Sequence, residues 1–71
     1  MNYYERKKYK QQLIIASMIA RKIKLSEDET RTDAIRKQCR TKAKNMKARN
    51  PNAAKIYDSG GDYSDEAISK L

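Results

Sequence analysis

Arg36, Arg40, Lys44 and Lys47 recur at intervals of three and four residues within Ile35–Arg49, a stretch holding seven basic residues and no acidic one. At about 100° per residue the four fall on one stripe of an α-helix, with Lys37 beside them. Successive charges then stand about 5–6 Å apart along the axis, comparable with the phosphate spacing of a nucleic-acid strand. The chemistry open to such a row is neutralisation of a polyanion. The same charges could serve only as a solvated surface. Helices that use charge for solubility usually pair Glu with Lys four residues apart, however, and residues 34–49 contain no acid to pair with. Lys42 and Arg49 fall beyond the neighbouring apolar stripe, so the positive charge is not confined to one face.

A second basic block, Asn2–Lys10 (NYYERKKYK), interleaves Tyr3, Tyr4 and Tyr9 with Arg6, Lys7, Lys8 and Lys10. Aromatic rings among cations can stack on bases while the cations reach phosphates. The plainer expectation is that Tyr9 covers the core and that Tyr3 and Tyr4 sit at a helix end with wet hydroxyls. Arg6, Lys10 and Arg21 are the cations expected to extend the Arg36–Lys47 stripe.

Residues that make and break bonds are scarce. There is no His and one Cys, so an intrachain disulfide is excluded and a zinc site lacks its ligands. Cys39 lies on the apolar stripe, where a cysteine acts as a small core residue, and no imidazole is present to activate it. Asp58, Ser59 and Asp62 lack the acid spacing and terminal Glu of a calcium loop. No Gly-rich phosphate loop precedes a helix. The expectation is a protein that is not an enzyme and uses neither cofactor nor metal.

The net charge is +8. It is placed unevenly: seven cations against Glu5 in residues 1–25, four acids against Arg31 in residues 26–33, seven cations and no acid in residues 34–49, and four acids against Lys55 and Lys70 in residues 50–71. Such a balance points to a polyanionic partner: nucleic acid, DNA or RNA, an acidic protein surface, or an anionic membrane, the last disfavoured by poorly segregated apolar and basic faces and the absence of Phe and Trp. The apolar run Leu13–Ala20 is too short to span a membrane and follows a polar stretch too long for a secretory signal. A cytoplasmic, intracellular protein is therefore expected.

The elements that must position these residues follow from punctuation. Residues 2–25 contain neither Gly nor Pro and suit one long helix. On its wheel Ile14, Met18 and Leu25 share one arc, and Leu13, Ala16, Ile19, Ala20, Ile23 and Tyr9 fill another. A helix apolar on so much of its circumference needs cover on more than one side, which raises self-association through Ile14, Met18, Ile19 and Ile23. Ser26-Glu27-Asp28-Glu29 has the pattern of a capping box for a second helix, and Thr30 with Asp33 offers a start four residues later. That helix carries Ile35, Cys39, Ala43 and Met46 as its buried stripe and stops at Asn50-Pro51. Asn50 is expected to cap a short third helix with Pro51 at its first position, ended by Gly60. Ser64 could cap a last turn or two, or the tail could fray or fold back on the basic stripe.

The expected fold is all-α, a single small helical domain. Two long antiparallel helices and one or two short C-terminal helices would form it, with residues 1–57 as the helical core and 58–71 as an acidic, Gly-containing tail. Neither the turn of a helix-turn-helix nor the sustained heptads of a basic zipper are present. The expected function is that of a small nucleic-acid-binding accessory or regulatory protein. One alternative is an adaptor or inhibitor, of the kind that phages and mobile elements encode, that blocks an acidic surface of a larger protein. Another is a self-assembling structural subunit.

Overall fold

The computed structural model describes residues 2–71 of the chain, and among these residues there are four helices. They are α1 (Tyr3–Ser26), α2 (Asp33–Arg49), α3 (Pro51–Asp58) and α4 (Asp65–Ser69). The molecule is elongated, 44 × 23 × 17 Å, because α1 is 24 residues long and the other helices all lie against it.

The start of α1 is fixed by a reciprocal cap that the sequence reading missed. The Asn2 carboxamide oxygen accepts from the Glu5 amide at 2.9 Å, and the Glu5 carboxylate accepts from the Asn2 amide at 3.4 Å. The expected capping box at Ser26 does not form. Ser26 is the last residue of α1, is buried, and donates its hydroxyl to the carbonyl of Ile23. The acids after it serve the loop instead. Asp28 accepts from both the amide and the hydroxyl of Thr30, at 2.9 and 2.6 Å. These bonds compete with helical ones and hold the segment as a turn. The Thr30 hydroxyl first, and its amide second, hold the Asp28 carboxyl below its usual range. The cap of α2 is Thr32, whose Oγ1 accepts from the Ile35 amide at 3.3 Å. Thr32→Ala is therefore expected to lower the unfolding free energy by about 1 kcal/mol in urea denaturation. A change within a few tenths of that of wild type would place the cap elsewhere.

The other boundaries fall close to where residue chemistry puts them. α2 ends at Arg49, and Pro51 opens α3. Asn50 makes no side-chain cap bond to α3, contrary to expectation; its side-chain amide turns back and donates to the Met46 carbonyl at 2.9 Å, beside the Asn50 backbone amide that already donates there at 2.9 Å. Gly60 takes φ +73°. With it the Gly61 amide reaches the Ile56 carbonyl at 2.9 Å and the Gly60 amide reaches Tyr57 at 3.2 Å, the paired bonds of a Schellman end. The tail does not fray. The Asp62 carboxylate accepts from the Ser64 amide at 3.0 Å, and Ser64 caps α4 through Ala67 at 3.2 Å.

α1 and α2 are antiparallel. Arg36, near the start of α2, bonds the backbone of Ser26, at the end of α1, whereas Arg49 and Asn50 share a groove with Lys8 and Gln12. The core runs along this seam. Ala16, Ile19 and Ala53 form its centre, and Ile15, Ile23, Met46, Ile56, Tyr57 and Tyr63 pack around them. Among the described residues six apolar side chains are buried and three of these are alanines, so the helices approach closely around a small core.

Two expected core residues lie outside it. Tyr9 is half-exposed, and Ile35, in the first turn of α2, is exposed. Cys39 and Ala43 are buried as the apolar stripe requires. Of the four residues considered for self-association, Ile19 is fully buried and Ile23 packs against the core, while Ile14 and Met18 remain exposed.

Candidate polyanion-binding surface

The acids of this chain do little to neutralise its cations. Three of the seventeen Lys and Arg residues lie within ion-pair distance of a carboxylate, among the described residues. Fourteen do not. Such a surface attracts anions generally, and where the charges stand decides what kind of anion can use them.

On one flank of α2 the structure brings together Arg36, Lys37, Arg40, Lys44 and Lys47. The two end members are tethered. The Arg36 guanidinium donates from Nε to the Ser26 carbonyl at 3.2 Å and stands 3.7 Å from Asp33. It thereby satisfies a carbonyl at the end of α1, where a cation suits the helix dipole. The Lys47 ammonium stands 2.9 Å from Asp58 and 4.8 Å from the centre of the Tyr57 ring, joining α2 to the end of α3. Between these anchors Lys37, Arg40 and Lys44 are exposed and carry no ion pair. Arg40, Lys44 and Lys47 border a depression of about 430 Å³, closed on the α1 side by Ile23, Ser26 and Glu27.

The antiparallel pairing decides which end of α1 adjoins this flank, a point the sequence leaves open. It is the Ile23–Glu27 end. Arg6 and Lys10 therefore do not extend the stripe. They lie near the other end of α1, around a shallow site with Tyr3, Ile14 and Leu71. Arg21 does not line the depression either; it borders a neighbouring hollow with Lys24, Leu25, Glu27 and Asp28, and Glu27 stands between the two. Of the acidic tail, Asp58 alone pairs with the stripe, and the chain then turns away at Gly60 so that Leu71 ends beside Tyr3 and Ile14.

A second basic surface was not anticipated as a unit. Across the seam from the stripe, Lys7 and Lys8 of α1 meet Arg49 at the end of α2 around a groove of about 480 Å³ that also holds Tyr4. The aromatic–basic composition of residues 2–10 was the signal for half of it. The other half, Arg49, lies some forty residues along the chain and arrives only through the antiparallel pairing.

Among the described residues, no helix is long and apolar enough to cross a membrane. Compared with known proteins, the chain matches no family model, no curated protein and no solved structure.

Proposed function

We propose that this is a small, non-enzymatic nucleic-acid-binding accessory or regulatory protein that engages phosphates through the α2 flank. The observation that carries the reading is the row Lys37, Arg40 and Lys44. These residues are exposed, free of carboxylate partners, and mounted on a helix pinned at both ends by Arg36 and Lys47. Cations on a rigid element lose little freedom when they meet a phosphate strand. The direct test is the affinity of the triple variant Lys37→Glu, Arg40→Glu, Lys44→Glu for a short DNA duplex, measured by anisotropy across a salt series. Strong loss of binding is expected. Wild-type affinity in a variant whose circular dichroism is unchanged would overturn the proposal.

The Lys47–Asp58 pair offers a test of opposite sign. Asp58→Asn removes the carboxylate 2.9 Å from Lys47 and leaves its ammonium available to a phosphate. Duplex affinity should rise, and the slope of log affinity against log salt should steepen by about 0.9, one added contact. The exposed pair contributes about 0–1 kcal/mol to stability, so the fold survives the change. An unchanged slope would mean that Lys47 takes no part in binding.

A second reading rests on Ile14 and Met18, which are exposed on a stretch of α1 carrying Lys7, Lys10, Arg21 and Lys24. An apolar patch among cations suits an acidic protein surface, as an inhibitor or adaptor would use. It suits a second copy of this chain less well, because cations of one copy would face those of the other.

A further inference from the structure

We propose that the groove between the first half of α1 and the α2–α3 junction is a separate site for single-stranded nucleic acid. An unpaired base would lie on Tyr4, with its flanking phosphates held by Lys7, Lys8 and Arg49. The proposal rests on the nucleic-acid reading and deepens it, because it assigns an unpaired strand to a surface distinct from the α2 flank.

Four observations converge here. Tyr4 is 80% exposed in the first turn of α1 and forms no part of the core. Tyr3 stands against it edge to face, with ring centres 5.7 Å apart at 78°. An edge-to-face contact covers at most one face of a ring, and at its exposure Tyr4 keeps a face open to a base. Lys7 and Lys8 follow Tyr4 at three and four residues, the spacing that sets side chains next to one another on a helix. Arg49 closes the ring of charge from the other helix.

The groove lining contains no acid. Glu5, the nearest carboxylate in sequence, is engaged by the Asn2 amide in the cap of α1. Gln11 and Asn52 add carboxamides, which donate and accept and so can meet the edges of any base. A single aromatic ring with cations one helical turn away is the minimal form of a stacking platform with an electrostatic track.

The occupant follows from the ring and the size. In a duplex the face of each base is covered by its neighbours, so an exposed tyrosine has nothing to stack on. In a single strand the face is available. A groove of about 480 Å³ falls in the range of small-ligand sites and has room for a nucleotide. The α2 flank has the reverse character. It is a row of cations with the Tyr57 ring already taken by Lys47. The two surfaces lie on opposite sides of the α1–α2 seam, so each can be altered without touching the other.

The test is fluorescence anisotropy of the full chain with a labelled oligothymidine of about ten nucleotides, within the usual span of a stacking groove, and with a duplex of equal length. Tyr4→Ala should weaken oligothymidine binding by about tenfold and leave duplex binding within about twofold. Tyr4→Phe, which keeps the ring, should restore wild-type affinity. Lys7→Glu with Arg49→Glu should abolish the single-strand preference. The proposal is overturned if Tyr4→Ala binds oligothymidine as wild type does, or if it loses affinity for both probes equally. It is also overturned if polyglutamate of matched charge competes as well as oligothymidine, which would mark the groove as a general anion surface or a site for acidic protein. Duplex binding that is steeply salt-dependent and lost in the α2 triple variant, together with oligothymidine binding that does not change in Tyr4→Ala, would overturn this proposal alone. Wild-type protein that binds neither probe would overturn both.

Discussion

Replacing Ile19 with alanine should lower the unfolding free energy by about 3–4 kcal/mol. Ile19 and Leu13 are the largest fully buried side chains in the described part of the molecule. Ile19 lies against Ala16 and Ala53, and neither alanine has a side chain that could move into the space left behind. Whatever cavity remains after Met46, Ile23 and the other side chains around this centre relax adds its cost to the lost transfer free energy of the deleted methyl and methylene groups. A domain of this length is stable by about 4–11 kcal/mol, taking about 0.05–0.15 kcal/mol per residue. The substitution thus removes between a third and most of the total, and the midpoint in urea should fall accordingly. Ile14→Ala is the comparison. It lies five residues earlier on the same helix, and its side chain is exposed, so its cost should stay below about 1 kcal/mol. Equal costs at the two sites would contradict the packing described for α1.

The charge reversal of Lys37, Arg40 and Lys44 has the largest expected effect on binding. Three cations become three anions and the net charge drops from +8 to +2. If each makes one phosphate contact, the slope of log affinity against log salt should shrink by about 2.7 on a duplex. Over a fourfold rise in salt the wild-type protein would then lose about 40-fold more affinity than the variant. At low salt the variant should bind far more weakly, because the introduced carboxylates repel the phosphates that the lysines and arginine attract. Lys55→Glu with Lys70→Glu is the control. Both residues lie beyond α2, among the later helices, and a loss of similar size there would mean that net charge, and not the α2 flank, governs binding. Arg36 and Lys47 are left intact by design. Arg36 already donates to Ser26 and Lys47 is already paired with Asp58, so reversing them would mix the loss of those bonds with the loss of phosphate contacts.

Features that depend on a restriction within one residue could be read from the sequence. Pro51 cannot donate and cannot follow a helical Asn50, so the break between α2 and α3 was visible. Gly60 was the residue best able to take a positive φ, and it does so. Features decided by competition between similar groups could not be read. Ser26, Thr30 and Thr32 are all acceptable caps. The choice fell to Thr32 because Ser26 turned inward on its own helix and Asp28 engaged Thr30. The Asn50 side chain likewise had two possible uses, capping forward or reinforcing the bond to Met46 behind it, and took the second.

The candidate surfaces divide in the same way. Helical periodicity alone set Arg36, Arg40, Lys44 and Lys47 side by side. It could not show that Lys47 is already engaged, because Asp58 lies eleven residues on and reaches it only after α3 has doubled back. Nor could it exclude Arg6, Lys10 and Arg21 from the stripe, since that required the pairing of α1 with α2. The groove at Tyr4 was hidden for the same reason.

The burial of Ala53 against Ala16 and Ile19 also bears on how the chain is made. Thirty-seven residues separate Ala16 from Ala53. At about 5–20 residues per second, the inner face of α1 waits roughly 2–7 s after its own synthesis for the segment that completes its cover. Over that interval Leu13, Ile19 and Ile23 belong to a helix without its final partner, the situation in which nascent chains adhere to one another. The lysines and arginines interspersed along α1 then act as gatekeepers, keeping neighbouring nascent copies apart by repulsion. Much of the positive charge on α1 would on this view be needed before the protein is folded, whatever it binds afterwards.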